Sequence, residues 1–253
     1  MLHEGPVPPD GELARVRAQF LAATWADEGS AYRDLRATED AVAGAEEVAL
    51  WFEHDLFDQL LLLQALTVAR GRALLVLSDT YLNEADLPAL WRARTEATGE
   101  QRGLAAEAWE AFRSGDPRRL AALDASALPH LGPALRRLLQ ELPSTANGLG
   151  RTEQLIVDAV AGGAATFGEL FARTQALDEP RFMGDAAFAL QLGRVAPLVG
   201  AGEPYALTVL GERVRAGEAD FVREAGIDRR LGGLHLHGTG PLWRWDGARP
   251  VHA

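Results

Sequence analysis

Two short apolar runs, joined by a helical pattern, constrain the fold of this chain more than any other feature. Residues 48–52 are Val-Ala-Leu-Trp-Phe, residues 73–77 are Ala-Leu-Leu-Val-Leu, and both runs end at polar residues. Continuous apolar runs of this length are typical of strands buried on both faces. Between them, apolar residues from Leu56 onward recur at helical spacing. The pattern predicts a strand, a helix and a second strand, and a right-handed crossover makes the two strands parallel.

Helical spacing also predicts helices on both sides of this unit. They are expected over residues 12–21 and 30–42 before it, and at several places within residues 84–142 after it. The run Pro143–Gly150 is rich in turn formers, so we place a domain boundary there. The expected organisation is an α/β domain with a helical extension over residues 1–143 and a second domain over residues 151–253.

The second domain has the pattern of a winged helix. Helices are expected over residues 152–160, from Thr166, where Glu169 completes a capping box, and over residues 185–195. Two short extended pieces are expected at residues 197–199 and 205–208, and they would form the wing. A further helix is expected from about residue 210. Alternation over residues 226–237 and 241–246 predicts a terminal hairpin. The fold class is therefore α/β, with a partial Rossmann-like parallel sheet, a helical middle segment and a winged-helix-like C-terminal domain.

Two missing residue types exclude several kinds of chemistry. The sequence has no cysteine, which excludes disulfides, thiolate zinc sites and cysteine nucleophiles. All 25 basic residues are arginines, which excludes Schiff-base lysines and a P-loop lysine. The common nucleotide-binding, serine-hydrolase and zinc-protease motifs are also missing from the sequence. The sequence does not identify a metal, a cofactor or an oligomeric state.

Charge and hydropathy indicate the expected partners. The net charge is −11, and neither half of the chain has the basic excess of a protein that holds nucleic acid by its phosphates. No apolar run approaches the roughly 18 residues of a membrane span, and the N-terminus lacks a signal-peptide pattern. We expect a cytoplasmic protein with no membrane partner and with a small molecule, rather than nucleic acid, as ligand.

The densest polar cluster lies where the first predicted strand passes into the helix. It contains Glu53, His54, Asp55, Asp58 and Gln59. The carboxyl ends of parallel strands share one edge of a sheet, and ligands bind at that edge in open α/β sheets. Glu53, His54, Asp55 and Asp58 are therefore candidate catalytic residues, with His54 as proton carrier and Asp55 and Asp58 as orienting or metal-binding groups. Gln59 is a candidate ligand-binding residue. The alternative interpretation is structural, with Asp55 capping the helix and Asp58 complementing its dipole.

Two further clusters are candidates for ligand binding. His3 and Glu4, before Gly5, can form a second wall of the same pocket or only a turn. In the tail, Asp228, Arg229 and His235 flank Gly232-Gly233, whose amides can face an anion that the arginine holds. An ion pair that joins the tail to the body is the alternative. Trp243 and Trp245 alternate with an arginine, so they can stack on a base or belong to the core.

Four runs together resemble one bacterial family. They are His3 to Pro6, Leu50 to Leu60, Phe182 to Asp185 and Gly226 to Leu236. The family is catalogued as domain of unknown function eighteen-thirty-five, with a C-terminal companion domain also of unknown function, and the resemblance implies no particular activity. Its members look as though they begin with a further strand and a Gly-Asp-Ser turn, so the resemblance implies a truncated N-terminus here. Arg230 stands where a tryptophan is usual.

The leading hypothesis is an enzyme that handles a small molecule or nucleotide at the carboxyl edge of the sheet. In this hypothesis the tail folds over the acidic cluster as an anion clamp. The alternative is a ligand-sensing regulatory or adaptor protein whose winged helix binds DNA or a protein. A third hypothesis is a protein-binding module that buries the helices of residues 85–142 in a dimer.

Overall fold

Helices make up most of the regular structure in the computed structural model, which describes residues 2–23, 27–178 and 180–253. The helices are α1 (Leu13–Ala22), α2 (Glu28–Gly44), α3 (Leu56–Val68), α4 (Leu87–Ala93), α5 (Gly99–Arg113), α6 (Arg118–Ala121), α7 (Leu131–Leu139), α8 (Arg151–Ala161), α9 (Phe167–Leu177), α10 (Asp185–Arg194), α11 (Ala196–Val199), α12 (Val209–Arg215) and α13 (Phe221–Ala225). Within these ranges no helix is both long and apolar enough to cross a membrane.

The strands form three small sheets. They are β1 (Gly5–Pro6), β2 (Glu47–Phe52), β3 (Arg72–Leu77), β4 (Thr95–Glu96), β5 (Ile227–Gly232), β6 (Leu234–Gly238), β7 (Trp243–Trp245) and β8 (Pro250–His252). The strand orders are β1-β5-β6, β2-β3-β4 and β7-β8. The fold is therefore α/β, as predicted.

The chain divides into two compact units. The first contains Met1–Leu135 and Arg229–His235, and the second contains Arg136–Asp228 and Leu236–Ala253. The division falls within α7, whereas the sequence placed a boundary at residues 143–150.

The predicted strand-helix-strand unit lies in the first unit and is confirmed. β2 and β3 are parallel, with Glu47 opposite Arg72 and Phe52 opposite Leu77. The expectation that both strands are buried on both faces is wrong for β2. β3 lies between two neighbours and is buried from Ala73 to Val76, whereas β2 is an edge strand in which Ala49 is exposed.

The first unit also receives a strand from the tail. β1 pairs in parallel with β5, with Gly5 opposite Leu231 and Pro6 opposite Gly232. Gly5 has a φ of 76°, and a Cβ there would lie 2.6 Å from the ring of Phe20. A side chain is therefore excluded at Gly5 by both the backbone conformation and the space.

The second unit begins with the predicted helices but lacks the predicted wing. α8, α9 and α10 match the expected positions, and Thr166 and Glu169 form the expected capping box. Residues 197–199 form the helical turn α11 instead of a strand, because Pro197 suits the first turn of a helix. The described residues from 151 to 225 contain no strand, so the winged-helix expectation is not supported.

The run from Pro143 to Gly150 is an ordered turn within the second unit. The side chain of Leu149 is buried, and the amide of Asn147 donates to Oε1 of Gln154 at 2.7 Å. In the same run, the backbone amide of Thr145 donates to the carbonyl of Trp245 at 2.9 Å. Turn-forming residues here therefore fix a packed turn and not a flexible linker.

A C-terminal hairpin is present, as predicted, but it pairs β7 with β8 at residues 250–252, which lie outside the two runs that predicted it. These strands are antiparallel, with Trp243 opposite His252. Trp245 is buried, and Arg244 between the two tryptophans binds Asp220 through two contacts of 2.8 and 3.1 Å. Trp245 therefore packs in the core, which was the alternative to stacking on a base.

Candidate functional site

The candidate site lies where β2 and β3 end side by side. Phe52 pairs with Leu77, and the Ser78 amide donates to the Phe52 carbonyl at 3.0 Å. Because the strands are parallel, the residues after each one leave the sheet at the same edge. The structure thus brings the polar residues that follow Phe52 to the same edge as Asp79.

Carboxylates close the turn between β2 and α3. Asp55 is the N-cap of α3, and its Oδ1 accepts a hydrogen bond from the Asp58 amide at 2.9 Å. Oδ2 of Asp58 accepts from the Glu53 amide at 2.6 Å. The structural interpretation of Asp55 as a helix cap is confirmed, and Asp58 supports the same turn.

Glu53 and Gln59 complete this turn. The buried Gln59 amide donates to the Glu53 carbonyl at 2.7 Å, and Oε1 of Glu53 accepts from the Leu82 amide at 2.6 Å. Four predicted site residues, Glu53, Asp55, Asp58 and Gln59, therefore bind backbone groups. Their contacts fix the backbone on both sides of His54.

Burial changes the protonation of the turn carboxylates. It raises the pKa of Asp55 to about 6, although the Asp58 amide opposes the shift. Burial also raises the pKa of Asp58, and there the Glu53 amide opposes it. Charge is disfavoured at both carboxylates because their surroundings solvate an anion less well than water does.

His54 projects from this turn toward two other rings. Its ring centroid lies 5.3 Å from that of Tyr81 and 6.1 Å from that of His130, which meets it edge to face. The Nδ1 atom of His54 is buried and has no hydrogen-bond partner in the part of the chain that is described. A buried nitrogen of this kind has lost its hydration without compensation, which costs free energy in the folded protein.

His130 joins the site from the turn before α7. Its Nε2 lies 3.1 Å from Oδ1 of Asp79, and its side chain is only 16% exposed. Burial lowers the pKa of His130, while the charge of Asp79 opposes the shift. His130 is thus favoured in the neutral form, with a carboxylate beside one nitrogen to orient it.

Sequence reasoning missed His130 and Tyr81. Neither residue lies in a recognisable motif, and His130 meets His54 although the two are far apart in the sequence. A histidine in a turn before an amphipathic helix gives no local signal of such a contact.

His3 and Glu4 lie beneath the surface of the first unit. The ring of His3 contacts that of Phe57 on α3 at 5.9 Å between centroids, so His3 lies beside the first turn of this helix. Glu4 is 1% exposed, and its charge raises the pKa of the buried Arg17, which burial lowers to about 10. The Arg17 guanidinium also donates to the Glu4 carbonyl at 2.6 Å. Glu4 therefore neutralises a buried arginine and does not line an open wall.

The predicted anion clamp in the tail does not form a single cluster. Arg229 is buried, whereas Asp228 and His235 are exposed. Successive side chains of a strand point to opposite faces, so Asp228 and Arg229 are separated by the pleat of β5. Gly5 of β1 pairs with Leu231 of β5. His3 and Arg229 each lie two residues before this pair, so they are at the same end of the two parallel strands.

The glycines of the tail have a packing role instead of the predicted anion contact. A Cβ on Gly233 would lie 1.8 Å from the Arg113 carbonyl oxygen, and the Gly233 amide donates to the Phe112 carbonyl at 3.0 Å. Gly232 has a φ of 60°, and a Cβ there would lie 2.3 Å from the Phe112 carbonyl oxygen. These two glycines let the hairpin approach the end of α5.

The described side chains do not support the metal-binding version of the site. Within them, no group of three or more His, Asp or Glu has an arrangement that could hold a metal ion. The arrangement instead favours proton transfer by two imidazoles, since the carboxylates of the turn are engaged with backbone amides and Asp79 lies beside His130.

Comparisons of the chain with protein-family models, with curated proteins and with solved structures found no match. The family resemblance therefore stays a prediction, and the site is interpreted from its geometry.

Proposed function

We propose that the chain is an enzyme that hydrolyses a small polar molecule, such as a nucleotide, by general acid-base catalysis. His54 and His130, the histidine pair, are the proposed proton carriers. The observation that carries the proposal is their approach to 6.1 Å between ring centroids at the edge where two parallel strands end.

Each histidine has a separate role in the proposed reaction. His130 is the base, because burial lowers its pKa and Asp79 lies beside its Nε2. It takes a proton from water as the water oxygen bonds to the electrophilic carbon or phosphorus of the substrate. Protonated His54 gives its proton to the departing oxygen as the bond to that atom breaks. Two groups that move protons in opposite directions are what such a hydrolysis requires.

The turn carboxylates are positioning residues in this proposal. Asp55 and Asp58 bind the amides on either side of His54 and hold the backbone from which it projects. A catalytic imidazole gains from such support because a displacement of about 1 Å reduces the rate roughly a hundredfold.

The regulatory alternative has less support. It depends on a winged helix, and residues 151–225, as far as they are described, form no wing. The acidic balance of the chain also disfavours a nucleic-acid partner.

A panel of chromogenic substrates tests the proposal. The probes are p-nitrophenyl acetate, p-nitrophenyl phosphate, bis(p-nitrophenyl) phosphate and ATP, each with EDTA present. We expect turnover of at least one probe, reduced about a hundredfold or more in His54→Gln and in His130→Gln. The control is His252→Gln, at an exposed residue of β8. Failure of the folded protein to turn over any probe, or equal turnover in all variants, would contradict the proposal.

A further inference from the structure

A cleft in the first unit lies at the end of α3 that is remote from the histidine pair. Its volume is about 470 Å³, and it is lined from α2, α3, α5 and the loop before α1. Asp55 and Thr67 mark the two ends of α3, and a rise of 1.5 Å per residue separates them by roughly 18 Å. The cleft is therefore distinct from the histidine pair, and its volume suits a small organic molecule.

Three arginines line this cleft, namely Arg36, Arg70 and Arg113. Arg70 and Arg113 have no carboxylate within 4.0 Å in the described part of the chain. Arg36 pairs with Glu39 and Asp40, at 3.3 and 3.0 Å, and both acids also line the cleft. The pair with Asp40 is exposed to solvent, whereas Glu39 is half-buried. Exposed pairs contribute little free energy, so Arg36 can exchange Asp40 for a ligand at small cost.

Arg113 is held in place by neutral groups. Its Nε donates to the Pro8 carbonyl and its Nη2 to the Pro9 carbonyl, each at 2.8 Å. These two bonds fix the plane of the guanidinium without neutralising its charge. A fixed planar guanidinium is suited to bind a carboxylate or a phosphate.

The remaining lining provides a surface for an organic group. Trp109, Val68, Leu13 and Ala43 contribute apolar atoms to the cleft. Arg102 donates to the carbonyls of Ala69 and Gly71, at 2.8 and 2.6 Å, just beyond the end of α3. These bonds offset the partial negative charge that a helix C-terminus would otherwise present to an anion.

We propose that this cleft binds a small organic anion with an aromatic or aliphatic body and one carboxylate or phosphate group. Arg70 and Arg113 bind the anionic group, and the apolar residues around Trp109 contact the body. The lining carries three arginines against two carboxylates, Glu39 and Asp40. This small basic excess in a chain of net charge −11 is the observation that favours an anion over a cation or a neutral ligand.

Isothermal titration calorimetry with phenyl phosphate and with benzoate tests this proposal and distinguishes phosphate from carboxylate. Benzyl alcohol is the neutral analogue. We expect at least one anion to bind, no heat from the alcohol, and an affinity about tenfold lower in Arg70→Gln and in Arg113→Gln. The control is Arg33→Gln, which removes the same charge from an exposed position of α2 outside the cleft lining.

The exposed Arg70 keeps the test decisive if Arg113→Gln fails to fold. No binding of either anion by the folded protein would overturn the proposal. Equal weakening by Arg33→Gln and Arg70→Gln would also overturn it, because the effect would then follow from net charge and not from the cleft.

Discussion

The imidazole rings of His54 and His130 lie edge to face with their centroids 6.1 Å apart. One ring projects from the turn after β2, and the other comes from the turn before α7. Oδ1 of Asp79, which follows β3, lies 3.1 Å from Nε2 of His130. Three chain segments thus converge where two parallel strands end, and the proposed chemistry depends on this convergence.

Asp79→Asn should lower the pKa of His130. Burial lowers the pKa of His130 and the charge of Asp79 raises it. Without that charge, the lowering effect of burial is less compensated. Imidazole NMR signals followed against pH measure the change. Because the Asp79 side chain is 91% exposed, we expect no loss of folding stability. A His130 pKa that is unchanged or higher in the variant would contradict the contact.

Asp55→Asn should change the pH dependence of folding stability. The pKa of Asp55 is raised in the folded protein, from 3.8 to about 6, so its contribution to stability is present below pH 3.8 and is lost as the pH rises through about 6. Asparagine retains the capping oxygen but does not titrate. We therefore expect the variant to gain in unfolding free energy relative to the native chain as the pH rises between these values.

Urea unfolding at several pH values between 3.8 and 7 measures this difference. The matched variant is Asp55→Ala, which loses the cap and should be less stable than Asp55→Asn by about 1 kcal/mol. A constant difference between Asp55→Asn and the native chain across this range would show that the Asp55 pKa is not raised.

Gly233→Ala should destabilise the first unit by about 1–3 kcal/mol, because the added Cβ would overlap the Arg113 carbonyl oxygen. The control is Gly240→Ala, where an added Cβ meets no atom within 4 Å. Thermal or urea unfolding of both variants measures the effect. Equal stability of the two would refute the close approach of the tail hairpin to α5.

Arg137→Ala should be among the most destabilising changes in the second unit. The buried Arg137 binds Asp178 through Nε and Nη2, at 2.8 and 2.7 Å, and Glu141 through Nη1 at 2.6 Å. Its removal takes the nearest cation from the buried carboxylates of Glu141 and Asp178 and leaves only Arg151, 3.4 Å from Asp178, which costs about 3–5 kcal/mol. Arg136→Ala, at the exposed neighbouring position, should stay within about 0.5 kcal/mol of the native chain in the same unfolding measurement. Similar losses in both variants would contradict the buried cluster.

Features encoded within a few residues were predictable from the sequence. The cap at Asp55, the capping box of Thr166 and Glu169, and the parallel pair of β2 and β3 all follow from spacing over short segments. Gln59 was expected to bind a ligand, whereas in the structure its side-chain amide donates to the Glu53 carbonyl.

Features that depend on distant packing were not predictable. Apolar residues alone do not show that β2 lies at a sheet edge, since that depends on where β4 pairs. The turn formers around Leu149 resemble a linker until their packing partners are known. His130 reaches the site through tertiary contacts alone, so its part in the histidine pair has no local signature.

The most direct test of the account measures whether the histidine pair exists in solution. Imidazole NMR titration of the native chain and of His54→Gln gives the pKa of His130 in each, with His252→Gln as the control. The charge of His54 lowers the pKa of His130, so the account predicts a higher His130 pKa in His54→Gln and no change in the control. An unchanged His130 pKa in His54→Gln would contradict the claim that these two imidazoles form one site.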